Sequence, residues 1–449
     1  MGGLISMKTG KKLHYSLLLA GTLLAAPSAG FAADTPETVE IRITRLEKEL
    51  AELKALMKQK PETAPAAASV ATAPAAAAPA PSVATGSGVK VQLYGFARLD
   101  AVWDSGQIYP GNIALWAQPE GAGRNDGEWN LTAGASRLGM NLSGPDTEKM
   151  KLSGNIEFDF LSSNSTSENN QLPRLRHAYL KAFWPASDFS IIAGQTWDLV
   201  GSLLPFTDDP AIMWDAGNIG GRHPQLRLTK GFKTGDRSRL EIAVAASRTI
   251  GEKNSVSYDS GKDAEMPTIQ GRISLSGPAI VDSKPATIAV SGHYGQEQWD
   301  TDFYNTHKTL DTWSCNLELS LPLSQKLLFA GEYFTGANLD DFWGGIGQGV
   351  NTIHWKAIRS NGGWAALRYF ASPATTFSLG AGIDNPNDND LAGYSKNPRT
   401  NNRTIFANVV TQVTPNFILG FQLGEWITDY MNLPDSHAVR AQSSMTYKF

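Results

Sequence analysis

The last stretch of the chain, residues 439–449, alternates between apolar and polar side chains, with only Ser443 out of place. An alternation with a period of two predicts a β-strand whose two faces meet different surroundings. A chain that carries such a strand has to build a sheet with one apolar and one polar face. The apolar parity holds Val439, Ala441, Met445, Tyr447 and Phe449, and the polar parity holds Arg440, Gln442, Ser444, Thr446 and Lys448.

The same alternation recurs from residue 89 onwards. In residues 152–160 the even positions are Leu, Gly, Ile, Phe and Phe, and the odd positions are Ser, Asn, Glu and Asp. We therefore predict an all-β fold with sixteen strands. The predicted strands are residues 91–103, 131–142, 152–160, 176–184, 189–196, 223–231, 239–247, 268–275, 286–294, 312–321, 326–334, 363–369, 375–383, 402–411, 417–426 and 439–449.

The links between the predicted strands are of two kinds. Links after even-numbered strands are short, as at 144–146, 185–188 and 414–416, whereas links after odd-numbered strands are longer and usually rich in Gly, Asn or Asp. Short turns at one end and long loops at the other are typical of bacterial transmembrane β-barrels, which have an even number of strands. The sequence has no fixed-period repeat, which disfavours a propeller or a β-helix. We therefore predict a sixteen-stranded antiparallel transmembrane β-barrel over residues 89–449.

The beginning of the chain carries the features of an export signal. A basic segment at residues 8–12 precedes an apolar segment at residues 17–26, and Gly30-Phe31-Ala32 matches a small-x-Ala cleavage site. We predict a signal peptide over residues 1–32. No later segment has the roughly 18 consecutive apolar residues that a membrane-spanning helix needs.

Composition narrows the possible classes of protein. A formal charge of −4 is too small to indicate a nucleic-acid partner. Cys315 is the only cysteine, so no disulfide forms within one chain. A content of 41% hydrophobic residues suits a barrel, because only alternate residues of its strands face lipid. The sequence has no electron-transfer or group-transfer motif, and we expect neither a cofactor nor a bound metal.

Residues 37–60 have a helical pattern. Arg42 and Glu47 fall at the g and following e positions of a heptad, where they can pair between neighbouring helices. The segment predicts a short coiled coil, and an amphipathic helix on a surface is the alternative. Residues 61–88 are almost entirely Ala, Pro, Ser, Thr and Val, which predicts a linker. The apolar seam of the helix consists of Val39, Ile43, Leu46, Leu50, Leu53 and Met57.

The polar parity of the strands is expected to face the inside of the barrel. Arginine presents a planar fork that matches carboxylates and phosphates, so a ladder of arginines would lower the barrier for anions in a water-filled pore. The alternative is that these arginines pair with wall carboxylates and only stiffen the barrel. The pore-lining candidates are Arg98, Arg137, Arg227, Arg272, Arg368 and Arg440, and the same parity holds Glu157, Asp159, Glu241, Glu318 and Glu332.

The link between the fifth and sixth predicted strands, residues 197–222, is a candidate constriction loop. Its apolar residues need a surface to pack against, and its acidic residues would set up a field across a pore if they faced an arginine wall. A loop folded over the barrel mouth or into a neighbouring subunit is the alternative. The apolar residues are Leu203, Leu204, Pro205, Phe206 and Met213, and the charged candidates are Asp208, Asp209, Asp215 and Arg222.

Two further segments resemble ligand-binding motifs. Residues 345–349, Gly-Ile-Gly-Gln-Gly, suggest a nucleotide loop but open no strand-turn-helix unit, so we assign them to a loop. Residues 384–390 are rich in Asp and Asn but lack the glycine and final glutamate of a known calcium loop. We expect a solvated loop there.

Export signal, heptad helix, linker and barrel together resemble the DcaP-like trimeric porins of Gram-negative bacteria. Four strings carry the resemblance, at residues 94–100, 136–139, 193–197 and 224–227. The resemblance implies a homotrimer in outer-membrane lipid, with the helix in the periplasm. It also implies uptake of small anionic solutes such as dicarboxylates. Bacterial barrels typically close on a strand ending in Phe or Trp, so Phe449 is the expected assembly signal for the barrel-assembly machinery.

Two other functions stay open at the level of sequence. A barrel enzyme, such as a lipase or protease, needs a Ser/His or Asp/His constellation, but the seven histidines are scattered and no G-x-S-x-G elbow occurs. An envelope anchor or adhesin would carry a wall-binding or passenger domain, whereas only a short helix and a linker precede the barrel. We therefore expect a channel and not an enzyme.

Overall fold

The structure, a computed structural model, describes residues 82–119, 126–161, 170–248, 251, 264–300 and 306–449. The predicted signal peptide, the coiled-coil helix at 37–60 and residues 61–81 of the linker lie outside the described residues. No helix of the described part is long and apolar enough to cross a membrane.

In the described part of the chain, the barrel sheet between residues 90 and 448 has sixteen antiparallel strands, as predicted. Two small two-stranded sheets lie in the loops, Ile108–Pro110 with Ala114–Ala117 and Val350–Asn351 with Lys356–Ala357. One of the sixteen barrel strands, β2, consists of two pieces. The strands are β1 (Lys90–Asp104), β2 (Glu128–Thr132 and Arg137–Ser143), β3 (Lys151–Asp159), β4 (Arg174–Trp184), β5 (Phe189–Trp197), β6 (Arg222–Lys233), β7 (Arg239–Ser247), β8 (Thr268–Pro278), β9 (Pro285–Asp300), β10 (His307–Pro322), β11 (Leu327–Ala337), β12 (Arg359–Phe370), β13 (Thr375–Pro386), β14 (Arg399–Thr414), β15 (Phe417–Tyr430) and β16 (Leu433–Lys448).

Each strand pairs with the next along the chain, and β1 pairs with β16, so the sheet closes into a barrel. The closing register sets Leu99 opposite Met445. The continuous second strand that the sequence predicts is interrupted at residues 133–136, which form a turn closed by a hydrogen bond from Ser136 N to Ala133 O. The Ser136 hydroxyl compensates by accepting from Arg98 N and donating to Arg98 O.

The two faces of the wall differ as the alternation predicts. In β16, Met445 and Tyr447 point outwards and are 48% and 57% exposed, whereas Arg440 and Gln442 point inwards and are 1% exposed. The outer face of the wall is apolar and exposed, and the inner face is polar and covered by loops. This is the reverse of the pattern in a water-soluble protein.

The two ends of the barrel differ in their connections. One end, the turn end, has short connections such as 185–188, 323–326 and 371–374, and the other, the loop end, has long ones such as 198–221 and 338–358. The long final loop that the sequence predicts is absent. Instead β15 extends to Tyr430 and β16 begins at Leu433, so only two residues join them.

A further short strand, Ser82–Ala84, lies at the turn end and pairs with residues 90–92 of β1. It continues the line of β16, whose last residues reach only as far as Gly95. Phe449 N donates to Gly95 O over 3.1 Å, and Gly95 N donates back to Phe449 O over 3.3 Å. A Cβ atom at Gly95 would lie 2.4 Å from Arg137 O and 2.8 Å from Phe449 Cζ, so this seam requires glycine.

Candidate functional site

Loop 3, residues 198–221, lies inside the barrel. Its apolar residues Leu203, Phe206 and Met213 lie outside the strands and are nevertheless only 4%, 2% and 3% exposed. They pack against inward-facing side chains of β11, β12 and β14. Those wall residues are Leu328, Ala330, Trp364, Ala366 and Phe406.

Hydrogen bonds attach loop 3 to the same side of the wall. Ser202 Oγ donates to Glu318 of β10 over 2.6 Å, and Leu203 N donates to Glu332 of β11 over 2.8 Å. Further along the loop, Asp208 N donates to the Gln422 amide oxygen of β15 over 2.7 Å. Loop 3 therefore follows the inner wall from β10 round to β15.

Ion pairs fasten the far part of loop 3. Arg98 of β1 donates from Nη1 to the Asp208 carboxylate over 3.3 Å and from Nη2 to the Asp208 carbonyl over 2.7 Å. Arg440 of β16 bonds Asp209 over 3.1 Å, with Asp104 as its second partner over 2.8 Å. The sequence suggested that these carboxylates face an arginine wall across a pore. They are instead paired directly with arginines of the wall.

Arg272 has a related role on the other side of the loop. Its Nη2 donates over 2.8 Å to Glu318, the carboxylate that accepts from Ser202. Three of the six arginines predicted to line a pore, Arg98, Arg272 and Arg440, therefore contact carboxylates that position loop 3. They are anchors of the loop.

Asp215 joins loop 3 to loop 6, residues 338–358. Its carboxylate accepts from Gly347 N over 2.9 Å, and its own N–H donates to Trp343 O over 3.0 Å. Burial raises the pKa of Asp215 to about 7, although the positive Arg399 and the Gly347 N–H act in the opposite direction. Positive φ angles of 69°, 53° and 62° at residues 345–347 let the glycine segment turn tightly against this carboxylate.

Opposite the docked loop, β2, β3 and β4 carry a second group of charges. Arg174 binds Asp159 over 2.7 Å, and Arg176 binds both Asp159 and Glu157, over 2.8 and 2.7 Å. Arg137 lies 3.5 Å from Glu157. Arg137 and Arg174 keep 30% and 25% of their side-chain surface exposed, so they face open space inside the barrel.

Arg222, at the start of β6, completes this group. Its guanidinium carbon lies 4.1 Å above the ring of Trp197 and 5.6 Å from that of Trp214. Its Nη1 atom is buried and makes no hydrogen bond among the described residues, and the same holds for Arg137 Nε. A guanidinium stacked on indole keeps its in-plane N–H groups available to a planar acceptor.

We call Arg137, Arg174, Arg176 and Arg222, with Glu157 and Asp159, the arginine cluster. Arg222 interacts electrostatically with the other three arginines and with Asp159, which places all of them in one neighbourhood. Four guanidinium groups and two carboxylates leave an excess of two positive charges. Such an excess at a partly buried site attracts anions more strongly than it would in bulk water.

Solved structures share this fold. The crystal structure of the outer membrane channel DcaP of Acinetobacter baumannii is similar, with a TM-score of 0.63 and 19% sequence identity, over 82% of this chain and 99% of that one. An anion-selective porin from Comamonas acidovorans is similar with a TM-score of 0.51 and 11% identity, over 80% of this chain and 100% of that one. The chain has the fold of an outer-membrane porin. No protein-family model and no curated protein matches it by sequence.

The resemblance to DcaP-like porins that the sequence indicates is thus confirmed for the fold. Within this porin fold, two predicted pore-lining arginines remain to be placed. Arg227 donates from Nε to Gln225 over 3.0 Å and makes no ion pair among the described residues. Arg368 lies with its guanidinium carbon 4.2 Å above the Phe206 ring, on the side of loop 3 that faces the turn end.

Sequence reasoning missed two parts of the site. Arg174 was not selected because it precedes the predicted fourth strand, 176–184, whereas the observed strand begins at Arg174. Arg176 was not selected because a register shift between Glu157 and Phe158 changes the face on which it lies. The apolar dock for loop 3 was also missed. A signal was present, since the inward parity of β11 and β12 includes Leu328, Ala330, Trp364 and Ala366 where other strands have polar residues.

Proposed function

We propose that the chain is an outer-membrane porin that admits small organic anions such as dicarboxylates by passive diffusion. The observation that carries the proposal is the arginine cluster, which faces open space while loop 3 fills the opposite side of the lumen. A solute that crosses the barrel has to pass between these two sides. The step is diffusion down a gradient, so it requires no reaction at the site.

The physical basis is the balance between losing hydration and gaining charge contacts. A carboxylate that enters the narrow part loses part of its water shell. The excess positive charge of the cluster offsets this loss, whereas a cation meets repulsion. The arginine fork suits the two oxygens of a carboxylate, and Arg222 presents its N–H groups from a ring that holds it in place.

The orientation in the membrane follows from the two ends. In bacterial barrels the short turns face the periplasm and the long loops face outside. We therefore place the turn end in the periplasm, together with the helix at 37–60, and the apolar outer face in contact with lipid. The final strand and Phe449 would be recognised by the barrel-assembly machinery.

The ion selectivity of the purified protein in a planar bilayer tests the proposal. In a tenfold KCl gradient, we expect the reversal potential of the wild type to lie on the chloride side. The double variant Arg137→Gln/Arg222→Gln removes two charges from the cluster and leaves the loop 3 anchors untouched. We expect it to reduce the ratio of anion to cation permeability several-fold.

A matched control is the double variant Arg237→Gln/Arg403→Gln. It removes the same charge at exposed positions, where these side chains are 61% and 45% exposed. Charges on exposed surface are screened over about 8–10 Å at physiological salt, so the control should keep the selectivity of the wild type. A wild-type pore that prefers cations, or equal effects of the two double variants, would overturn the proposal.

We also propose that three copies assemble, with the 37–60 helices meeting below the barrels. The heptad seam supports this assembly, because a helix of this length is marginal alone and gains stability from partners. Light scattering in mild detergent should give three times the protomer mass. In a Cys315→Ser background, Leu46→Cys should crosslink into dimers and no further, because one thiol joins two chains. A monomeric mass would contradict the proposal.

A further inference from the structure

A cavity of about 540 Å³ opens inside the barrel at the turn end, below loop 3. Its walls are the inward-facing residues of β12 to β15 and three of the short turns. This position is separate from the arginine cluster, which lies on β2 to β4 and β6. The residues that give the cavity its character are Lys284, Lys326, Arg368, Phe370, Val410 and Ile418.

The charges around the cavity are of one sign. Three cationic side chains line it, and no aspartate or glutamate of the described residues does. Lys284 Nζ donates to Gln325 O over 2.7 Å and lies 5.2 Å from the centre of the Phe370 ring. Neither Lys284 nor Lys326 makes an ion pair within the described part of the chain. Their charge is therefore uncompensated by local carboxylates.

The cavity also has an apolar component. Phe370, Val410 and Ile418 supply ring and branched side chains beside the cations. Arg368 connects the cavity to the constriction loop, because its guanidinium stacks on the ring of Phe206. The volume lies in the range of about 300–1,000 Å³ that is usual for sites binding compact organic ligands.

We propose that this cavity binds organic anions that carry two or more negative groups on an apolar body. Cations placed around an apolar wall match that chemistry, since each negative group finds a lysine or arginine while the body covers Phe370. The inference rests on the proposed orientation, which places the cavity at the periplasmic mouth. The ligand would arrive either through the pore or from the periplasm itself.

Binding of naphthalene-2,6-dicarboxylate to the full-length protein in detergent, measured by calorimetry, tests the site. The double variant Lys284→Gln/Lys326→Gln should weaken the association constant about tenfold, which corresponds to two partly exposed ion pairs. Lys284→Arg/Lys326→Arg should retain binding. The matched control is Lys149→Gln/Lys233→Gln, which removes the same charge from exposed positions at the same end of the barrel.

Sided addition in a planar bilayer distinguishes the two sources of ligand. Naphthalene-2,6-dicarboxylate added at the turn end should interrupt the current, and these interruptions should be shorter in Lys284→Gln/Lys326→Gln. The same compound added at the loop end should interrupt the current only if it crosses the pore. Equal binding by this variant and by the control would overturn the site. If Arg137→Gln/Arg222→Gln loses anion selectivity but still binds the dicarboxylate, the turn-end cavity binds anions independently of the arginine cluster.

Discussion

Arginine residues have two different roles inside this barrel, and the partners of each residue distinguish them. Arg98 and Arg440 direct their guanidinium groups at carboxylates and carbonyls of loop 3 and the wall. Arg222 instead stacks on Trp197 and keeps a buried N–H group without a hydrogen bond in the described residues. The first kind holds structure in place, and the second kind is suited to a passing ligand.

At this scale we predict that Arg98→Gln loosens loop 3. The change leaves the carboxylates of Asp100 and Asp208 without their guanidinium partner, and breaking a buried pair in this way costs about 3–5 kcal/mol. Open-channel current noise should increase, and protease should cleave the loop more readily.

Arg403→Gln is the control for this change. Arg403 and Asp429 are 45% and 26% exposed, and an exposed pair contributes about 0–1 kcal/mol. The control should behave as the wild type does. Unchanged noise and unchanged cleavage in Arg98→Gln would contradict the role of Arg98 as an anchor.

Asp215 gives a prediction about pH. Its pKa rises from an ordinary value of 3.8 to about 7 in the folded protein, so the native contact between loops 3 and 6 favours the protonated carboxyl. Between about pH 4 and pH 7 the Asp215 carboxyl ionises when loop 3 is undocked but stays protonated when the loop is docked. The docked state therefore becomes less stable as pH rises through this window, and its stability is constant above it.

Asp215→Asn should reduce this dependence, because its amide oxygen still accepts from Gly347 N and carries no charge. The part that remains belongs to Asp208 and Asp209 of the same loop, because burial raises the pKa of each of these carboxyls as well. The measurement is current noise between pH 4 and pH 8 in both proteins. Asp282→Asn, at a side chain 87% exposed, should keep the wild-type profile. Parallel profiles for wild type and Asp215→Asn would rule out Asp215 as the titrating group.

The alternation of apolar and polar residues predicted that strand arginines such as Arg98 and Arg440 point into the barrel. It did not predict which side chains they contact. Arg98 and Asp208 are 110 residues apart and touch only because loop 3 crosses the lumen. The path of that loop depends on a complementary apolar surface on β11, β12 and β14, which no local pattern within the loop contains. The distinction between anchoring and available arginines was therefore beyond a strand-by-strand reading.

At the scale of elements, loop 3 behaves like a small core placed inside the barrel. Leu203, Phe206 and Met213 bury themselves against the wall, and Trp214 stacks on Trp343 of loop 6 with ring centres 4.4 Å apart. Such packing stabilises the loop because apolar surface leaves water. The position of loop 3 inside the barrel is therefore set by packing as well as by ion pairs.

We predict that Phe206→Ala releases loop 3 for part of the time. Loss of a buried phenylalanine costs about 3–5 kcal/mol, and Arg368 also loses the ring on which it stacks. The open-channel conductance should rise and become variable. Leu323→Ala, at a turn residue 36% exposed, is the control, and a conductance equal to its value would contradict this assignment.

The strands themselves were predictable, because alternation is a local property that each strand carries in full. The break in β2 was not predicted. Residues 133–136 have small side chains, and the alternation of apolar and polar residues is present on both sides of them. The extended final hairpin was missed for a related reason. Its inward residues include Trp426 and Ala438, which pack against Ile108, Ala114 and Ala117 from the loop that follows β1. These apolar side chains on the inner face hide the apolar-out pattern in the sequence.

At the scale of the whole molecule, closure depends on a single seam between β1 and β16. Deletion of Phe449 removes two backbone hydrogen bonds to Gly95 and the ring that covers it. We predict a lower yield of heat-resistant barrel on a gel and a lower level in the membrane. Normal levels and normal heat resistance would contradict the role of Phe449 in assembly.

Gly95→Ala should disturb the same contact from the other strand, because its Cβ would lie 2.8 Å from Phe449 Cζ, although it would also lie 2.4 Å from Arg137 O of β2. Ala97→Ser, two residues further along the same outer face, is the control and should assemble normally. Normal assembly of Gly95→Ala would contradict the need for glycine opposite Phe449.

The three-residue strand at Ser82–Ala84 bears on the width of the pore. Sliding β16 along β1 by two residues would leave every side chain on its own face, so alternation does not oppose it. It would, however, change the stagger of the barrel and therefore its diameter. Because Ser82–Ala84 occupies the edge of β1 at residues 90–92, such a slide would drive Phe449 against Ser82. The short strand therefore opposes a slide of β16 toward the turn end, and with it one of the two possible changes in barrel diameter.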